Sequence, residues 1–491
     1  MIVIARSIDR STGGRRKRIA GAVAALVLTL GACTGIPDRQ VLLPEQTKQA
    51  EAPPPGQREH LRILAAYGGS YNDPKLQELI SQTVERLVAA SERPDLHYKV
   101  TILNSPAVNA FALPSGQLYV TRGLTALAND DAELASVLAH EMAHVIARHA
   151  AIREDQARQA AIVGRVVNDV LSDPQTGALA LAKTKIRLAS FSRAQEFEAD
   201  TIGVGIAARA GYDPFGAARF LTSMGRNAEL KSSSAGTDQR SLDFMSSHPS
   251  TPERVKNAQV KARQIASASP AEREKSAYLT SVDGVVYGED PSEGFVRGRR
   301  FLHPRLGFTF TAPEGFTLDN TAQAVLGLKD GGGAALRLDV VKIPGEQTLP
   351  DYLMSGWLEN VDRASLEELT INGFPAATAK AKGDDWSFRL YAIRFGSEAY
   401  RFIFASKHDA VDADSMFRAS VETFRRMSLS EINAAKPLRL KIAAVEPGDT
   451  IERLAGRMGG LDHPIERFRV LNGLDAGARL KPGDHVKTVV E

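Results

Sequence analysis

Between residues 140 and 149 the chain reads HEMAHVIARH, with histidines at 140, 144 and 149 and a glutamate at 141. Residues four apart share a face on an α-helix, so His140 and His144 can both present a ring nitrogen to one ion if this stretch is helical. Glu141 then sits one position round, within reach of a water on that ion. The run therefore predicts a metal-bearing helix, and the rest of the chain must supply what such a site lacks.

Tetrahedral catalytic zinc takes three protein ligands and keeps one position for water. The metzincin continuation would place glycine at 147 and histidine at 150, and both positions are alanine. His149, five residues after His144, points to a different side of a continuous helix and reads as a polar surface or network residue. The third ligand is therefore expected on a second helix, in FSRAQEFEADTIGVGIAARAGYDP at 191–214. Glu196 and Asp200 are four apart and face the same way, whereas Glu198 points elsewhere. Glu196 is assigned to the metal, and Asp200 to the far ring nitrogen of a ligand histidine, where it fixes tautomer and orientation. A solvated acidic face is the usual fate of such a run, and the upstream histidine helix decides against it.

HEMAH, then SRAQEFEAD, then SSHPSTPERV at 246–255, in that order, resemble the gluzincin family of the HtpX and CAAX prenyl proteases, and within it the soluble, periplasmic BepA-like branch. The likeness covers residues 59–270. It implies one zinc ion per chain bound by His140, His144 and Glu196, with Glu141 as the catalytic base, and an HP segment beside the metal, here His248 with Arg254. His248 before Pro249 lies on an extended segment leading to a helix start at Thr251, a geometry that can aim an imidazole into a cleft. There it can stabilise the oxyanion or occupy the open position of zinc and hold the enzyme latent; it can also simply satisfy loop backbone. NAFALPSG at 109–116 falls where the family places an edge strand beside the cleft, open to a substrate peptide by backbone pairing, or it is a packed hairpin. The helical repeats of the BepA-like branch and the transmembrane helices of the membrane branch find no counterpart in the sequence, so a peptidase working in aqueous space is expected.

Length and composition, 491 residues with 43% hydrophobic and 24% charged, suit about three globular domains. Residues 1–32 stand apart: RRKR at 15–18 precedes IAGAVAALVLTL and small residues, the pattern of a secretory signal peptide. LGAC at 30–33 resembles the bacterial lipobox, which implies lipidation of Cys33. As the sole cysteine, it leaves no internal disulfide and no thiolate metal site. The signal holds six basic residues and one acid, and without it the formal charge falls from +3 to −2, so no nucleic-acid partner is expected.

Residues 33–58, with EAPPPGQRE, read as a lipid-anchored linker. NDPKLQELISQTVERLVAA predicts a helix capped by Asp73 with Pro74 in its first turn, and further helix starts are expected at YDPFG and STPERV. Asp130 and Glu133 have capping-box spacing. HYKVTIL and NAFALPSGQLYVTRG read as strands. Residues 271–295 are expected as a linker, and 296–430 as an α+β domain of unknown role. Residues 438–490, with VEPGDT, VLNGL and LKPGD, resemble a LysM module, a small βααβ unit that implies a peptidoglycan partner. The fold class expected is thus α+β multidomain: a mostly helical zincin peptidase domain, an α+β module and a LysM-like module. The function expected is a zinc metalloendopeptidase of the bacterial envelope, periplasmic and lipid-anchored to the outer or inner membrane, degrading misfolded or misassembled envelope proteins. The alternative is a chaperone or peptidoglycan-tethered assembly factor whose metal site is latent or dispensable.

Overall fold

The computed structural model describes residues 54–155, 191–234, 244, 248–249, 251–266, 275–383, 385–407, 412–459 and 461–491. The expected signal peptide and Cys33 lie outside them. Helix already begins at Pro55, inside the expected tether, and runs Pro55–Ala66; from it His60 places Nδ1 2.8 Å from the Tyr119 hydroxyl.

The helix Pro74–Ala90 begins as its sequence dictates: the Asp73 side chain accepts the Leu76 N–H, and Pro74 fills the first turn, where no N–H is needed. It buries Leu76, Ile80, Thr83, Val84 and Leu87, one stripe at helical spacing. Beside it lies a three-stranded sheet in which Gln117–Thr121 is central, parallel to Lys99–Leu103 and antiparallel to Ala110–Ala112. The Pro-Ser-Gly turn joins Ala110–Ala112 to Gln117–Thr121, with Gly116 at φ +82°, where a Cβ would stand 2.7 Å from the His97 carbonyl oxygen. The helix Asp131–Ile146 passes through the middle of this body, every residue from Asp131 to His144 buried. Arg193–Arg209, Gly216–Ser234 and Pro252–Ile265 complete the helical layer.

Residues 271–295, expected as a linker, are not one where described. Lys275–Val282 is a helix whose Tyr278, Leu279 and Val282 are buried, and the Tyr278 hydroxyl donates to the Thr125 carbonyl at 2.7 Å. The apolar spacing of these three residues is helical, and the charged run before them hid it. Val286–Tyr287 then forms a strand against Leu438–Ala444, which pairs in turn with His485–Val490.

The C-terminal residues 438–490 take the order strand, helix, helix, strand, with helices Ile451–Ala455 and Pro464–Leu471. They are not a separate bead. Ile451, Leu454, Phe468, Leu471, Val486 and Val489 share one continuous core with Leu76, Leu124 and Leu138. The joint is pinned by Lys487, fully buried, whose ammonium donates to the carbonyls of Ala126 at 2.8 Å, Leu127 at 3.1 Å and Ala128 at 2.8 Å. These close the C-terminal end of the helix Arg122–Leu127, where carbonyls lack intrahelical partners and a cation is favoured. Lys487→Met is expected to lower stability by about 2–3 kcal/mol, because three buried carbonyls lose a charged donor. An unchanged urea midpoint would show that the joint does not depend on this residue.

Residues 295–426 hold the strand-rich domain. Its seven-stranded antiparallel sheet runs in the order Val361–Ile371, Phe374–Lys382, Trp386–Phe395, Glu398–Lys407, Ala334–Val341, Val325–Lys329, Phe316–Asn320. Strand alternation sorts side chains to two cores: Tyr391, Ile393, Phe402 and Phe404 face one, with the helix Ala413–Glu422 and a four-stranded sheet, while Leu390, Ala392 and Ala399 face the other, with the short helix Leu349–Leu353. The chain is thus a multidomain α+β protein with a helical N-terminal body followed by a strand-rich region. Among the described residues no helix is long and apolar enough to cross a membrane.

Candidate metal centre

The histidine helix is held at its start by Asp130, whose side chain accepts the Glu133 N–H at 2.8 Å. Glu133 does not reach back to Asp130 as a capping box would. Its carboxylate accepts the N–H of Asn129 at 2.9 Å instead. The glutamate helix Arg193–Arg209 starts with a complete box, Ser192 with Gln195. These two helices touch backbone to backbone because position 203 is glycine: a Cβ there would stand 3.0 Å from the His140 nitrogen and 3.1 Å from its Cα. That approach carries Glu196 to the histidine pair.

His140, His144, Glu196 and His248 converge, one donor atom from each lying within 4.8 Å of every other, all four residues buried. His140 Nε2 is 3.0 Å from His144 Nε2 and 3.3 Å from His248 Nδ1, and the latter is 3.0 Å from Glu196 Oε1. Glu196 oxygens lie 3.6 Å from each of the two helix imidazoles. Asp200 Oδ1 stands 3.0 Å from His140 Nδ1. Arg254, also buried, grips Asp200 with two nitrogens, at 2.8 and 2.7 Å, and reaches Glu196 Oε2 at 2.7 Å. Glu141 is adjacent, its Oε1 3.7 Å from His248 Nε2. Glu198 turns away from the cluster.

The electrostatics suit a cation. Burial pushes the His140, His144 and His248 imidazoles below the usual histidine range, so each is neutral with a lone pair to offer; His248 falls to about 3. Burial raises the Glu141 carboxyl well above its usual range, with the Glu196 charge adding to it. Burial also acts upward on Asp200, but hydrogen bonds from Arg254 and His140 outweigh it and hold the group at about 2. The decisive fit is in the tautomers. A proton on His140 Nδ1 would face the Asp200 carboxylate at 3.0 Å, and a proton on His144 Nδ1 would face His149 Nδ1 at 2.9 Å. Both Nε2 atoms are then bare lone pairs, 3.0 Å apart and unfavourable without a positive charge between them. Two or three imidazoles with one carboxylate, no sulfur, is a donor set suited to zinc and other borderline divalent ions.

Residues 74–262 match the model of Peptidase family M48. That segment is similar to the peptidase domain of this family. Among curated relatives, the beta-barrel assembly-enhancing protease of Escherichia coli is 31% identical over 215 residues, covering 42% of this chain and 43% of that protein. The mitochondrial metalloendopeptidase OMA1 of Schizosaccharomyces pombe is 32% identical over 205 residues, covering 41% and 58%. The OMA1 of Arabidopsis thaliana is 31% identical over 215 residues, covering 44% and 42%. The chain thus matches only about half the length of these relatives.

Two aromatic residues beside this site carry no signal in the sequence: Phe244 stacks on His248 with ring centroids 4.3 Å apart, and Phe191 lies 3.9 Å from the His144 ring. Of the two alternatives the sequence left for His149, the structure shows the network residue, buried against His144, and not the polar surface one.

Proposed function

We propose that the chain is a zinc-dependent endopeptidase with one metal ion per chain. The single observation that carries this is the convergence of the His140 and His144 lone pairs with the Glu196 carboxylate in a buried pocket beside Glu141. A bound divalent ion supplies Lewis-acid polarisation of a water and of a peptide carbonyl. Glu141 accepts the proton of the attacking water and delivers it to the leaving amine, and its burial-raised basicity serves both transfers. Asp200 holds the His140 ring, and Arg254 holds Asp200 and Glu196 in register.

Ala110–Ala112 is the outer strand of its sheet, and the Ala112 backbone reaches Glu141. An extended polypeptide adding to that edge would lay its backbone beside the base. His248 would serve as a fourth donor to a bound ion; its Nδ1 lies inside the donor set, which favours this over an oxyanion role.

The finer placement is also proposed: a lipoprotein of the bacterial envelope anchored through Cys33 on the periplasmic side, related to the HtpX and CAAX prenyl proteases through its three spaced motifs, and acting on misfolded or misassembled envelope proteins. The beta-barrel assembly-enhancing proteases among the relatives support an envelope role. The order strand, helix, helix, strand at 438–490 supports a LysM-like module with peptidoglycan as partner.

The test is metal analysis with casein cleavage. One zinc per chain, activity abolished by a chelator and restored by zinc, is the expected result. A His248→Ala arm is expected to keep its metal and to change the rate. Full activity in chelator would overturn the metal-dependent reading, whereas full function of a Glu141 variant in the cell would favour the competing one, a chaperone or peptidoglycan-tethered assembly factor with a latent or dispensable metal site.

A further inference from the structure

On an uninterrupted helix, residue 149 would lie about 140° round from His144 and could not face it. In the structure it does face it. The helix ends at Ile146, and Arg148 takes φ +56°, a left-handed conformation that a non-glycine residue adopts at a cost of about 1–2 kcal/mol. Helical residues resume at His149, whose ring is swung back under the metal helix and is 1% exposed. Its Nδ1 lies 2.9 Å from His144 Nδ1, and its Nε2 lies 3.3 Å from Glu198 Oε2. The Glu198 side chain is 59% exposed and sits two residues past Glu196 on the glutamate helix.

Resting on the metal-centre reading above, we propose that His149 is a positioning residue: it forms a relay, Glu198 to His149 to His144, that fixes the tautomer and ring plane of His144 for metal binding. The proton assignment follows from the distances. His144 can turn a lone pair to the donor set only if its proton is on Nδ1, and that N–H needs an acceptor, which His149 Nδ1 is when the His149 proton sits on Nε2. Glu198 Oε2 accepts that second proton. His140 is held differently, with the Asp200 carboxylate directly on its Nδ1. The two ligand rings are therefore oriented by a carboxylate, one directly and one through an imidazole. Phe191 closes the other side of the relay, 3.9 Å from the His144 ring and capped by the Arg153 guanidinium at 3.9 Å. The backbone strain at Arg148 is what the fold accepts to bring this acceptor into place.

The experiment measures zinc affinity by chelator competition and the visible spectrum of the cobalt-loaded protein, neither of which reads turnover. His149→Leu is expected to weaken zinc binding ten- to a hundredfold and to alter the cobalt bands. His149→Asn places an amide oxygen near the lost Nδ1 and is expected to restore both to near wild type. Glu198→Ala, at an exposed position where folding is not at stake, is expected to weaken binding by a smaller factor, about three- to tenfold. Wild-type affinity and spectrum in folded His149→Leu would reduce His149 to a packing residue and overturn the proposal. Equal loss in the Leu and Asn variants would overturn it as well. A wild-type chain that takes up no metal would instead overturn the reading beneath it.

Discussion

Glu141→Gln is expected to leave the metal content unchanged and to lower peptide cleavage by about a hundred- to ten-thousandfold, the range supplied by a positioned general base. The amide is the same size and sits on the same helical turn, and Glu141 is not among the four converging donors, so the ligand set has no reason to move. What is lost is the acceptor. The carboxyl is buried beside Glu196, and both groups are pushed upward, first by burial; removing one negative charge from that pair relieves repulsion. The variant is therefore also expected to unfold at a slightly higher temperature than wild type in the metal-free state. Activity lost together with metal would show that Glu141 helps hold the site. Activity retained would remove it from the chemistry altogether, and with it the proposed mechanism.

The parts of the site that could be read in the sequence are those written in short-range spacing. His140 with His144, and Glu196 with Asp200, are pairs four apart on helices, and a helix converts that spacing into a shared face whatever surrounds it. The caps at Asp73 and Thr251 were legible for the same reason, since a capping side chain serves an N–H three residues away. Even Arg254 could be named, though not its double grip on Asp200. His149 was legible as a network residue but not as one that faces His144, since that follows from a left-handed turn at 148 that nothing about an arginine announces.

Long-range joints were beyond reach altogether. Lys487 seals carbonyls some 360 residues earlier in the chain, and a lone lysine in a strand normally reads as solvated. The segment at 275–287 was mistaken for a linker because its charged approach outweighed three apolar residues. In the strand-rich domain, Val361–Ile371 carries little strand signal because it is largely exposed and breaks register between Asp362 and Glu367.

Arg254 is where folding and metal binding are expected to be most tightly joined. Its guanidinium is 2% exposed and stands between two carboxylates that are themselves buried, Asp200 on one side and Glu196 on the other. Taking away one partner of such a group leaves uncompensated charge in the interior, so Arg254→Met should cost about 3–5 kcal/mol in the metal-free protein, read as a shift in the urea midpoint. Two further measurements separate this cause from lost packing. Added zinc should recover part of the loss, because a divalent ion at Glu196 supplies some of the missing positive charge, and stabilisation by a ligand grows with its concentration over its dissociation constant. Combining Arg254→Met with Asp200→Asn should cost less than the sum of the two, because the second change removes the charge that the first had stranded. Strict additivity, with no extra rescue by zinc, would mean that Arg254 contributes only its volume. The carboxylate pair would then be held in place by the backbone of the glutamate helix alone.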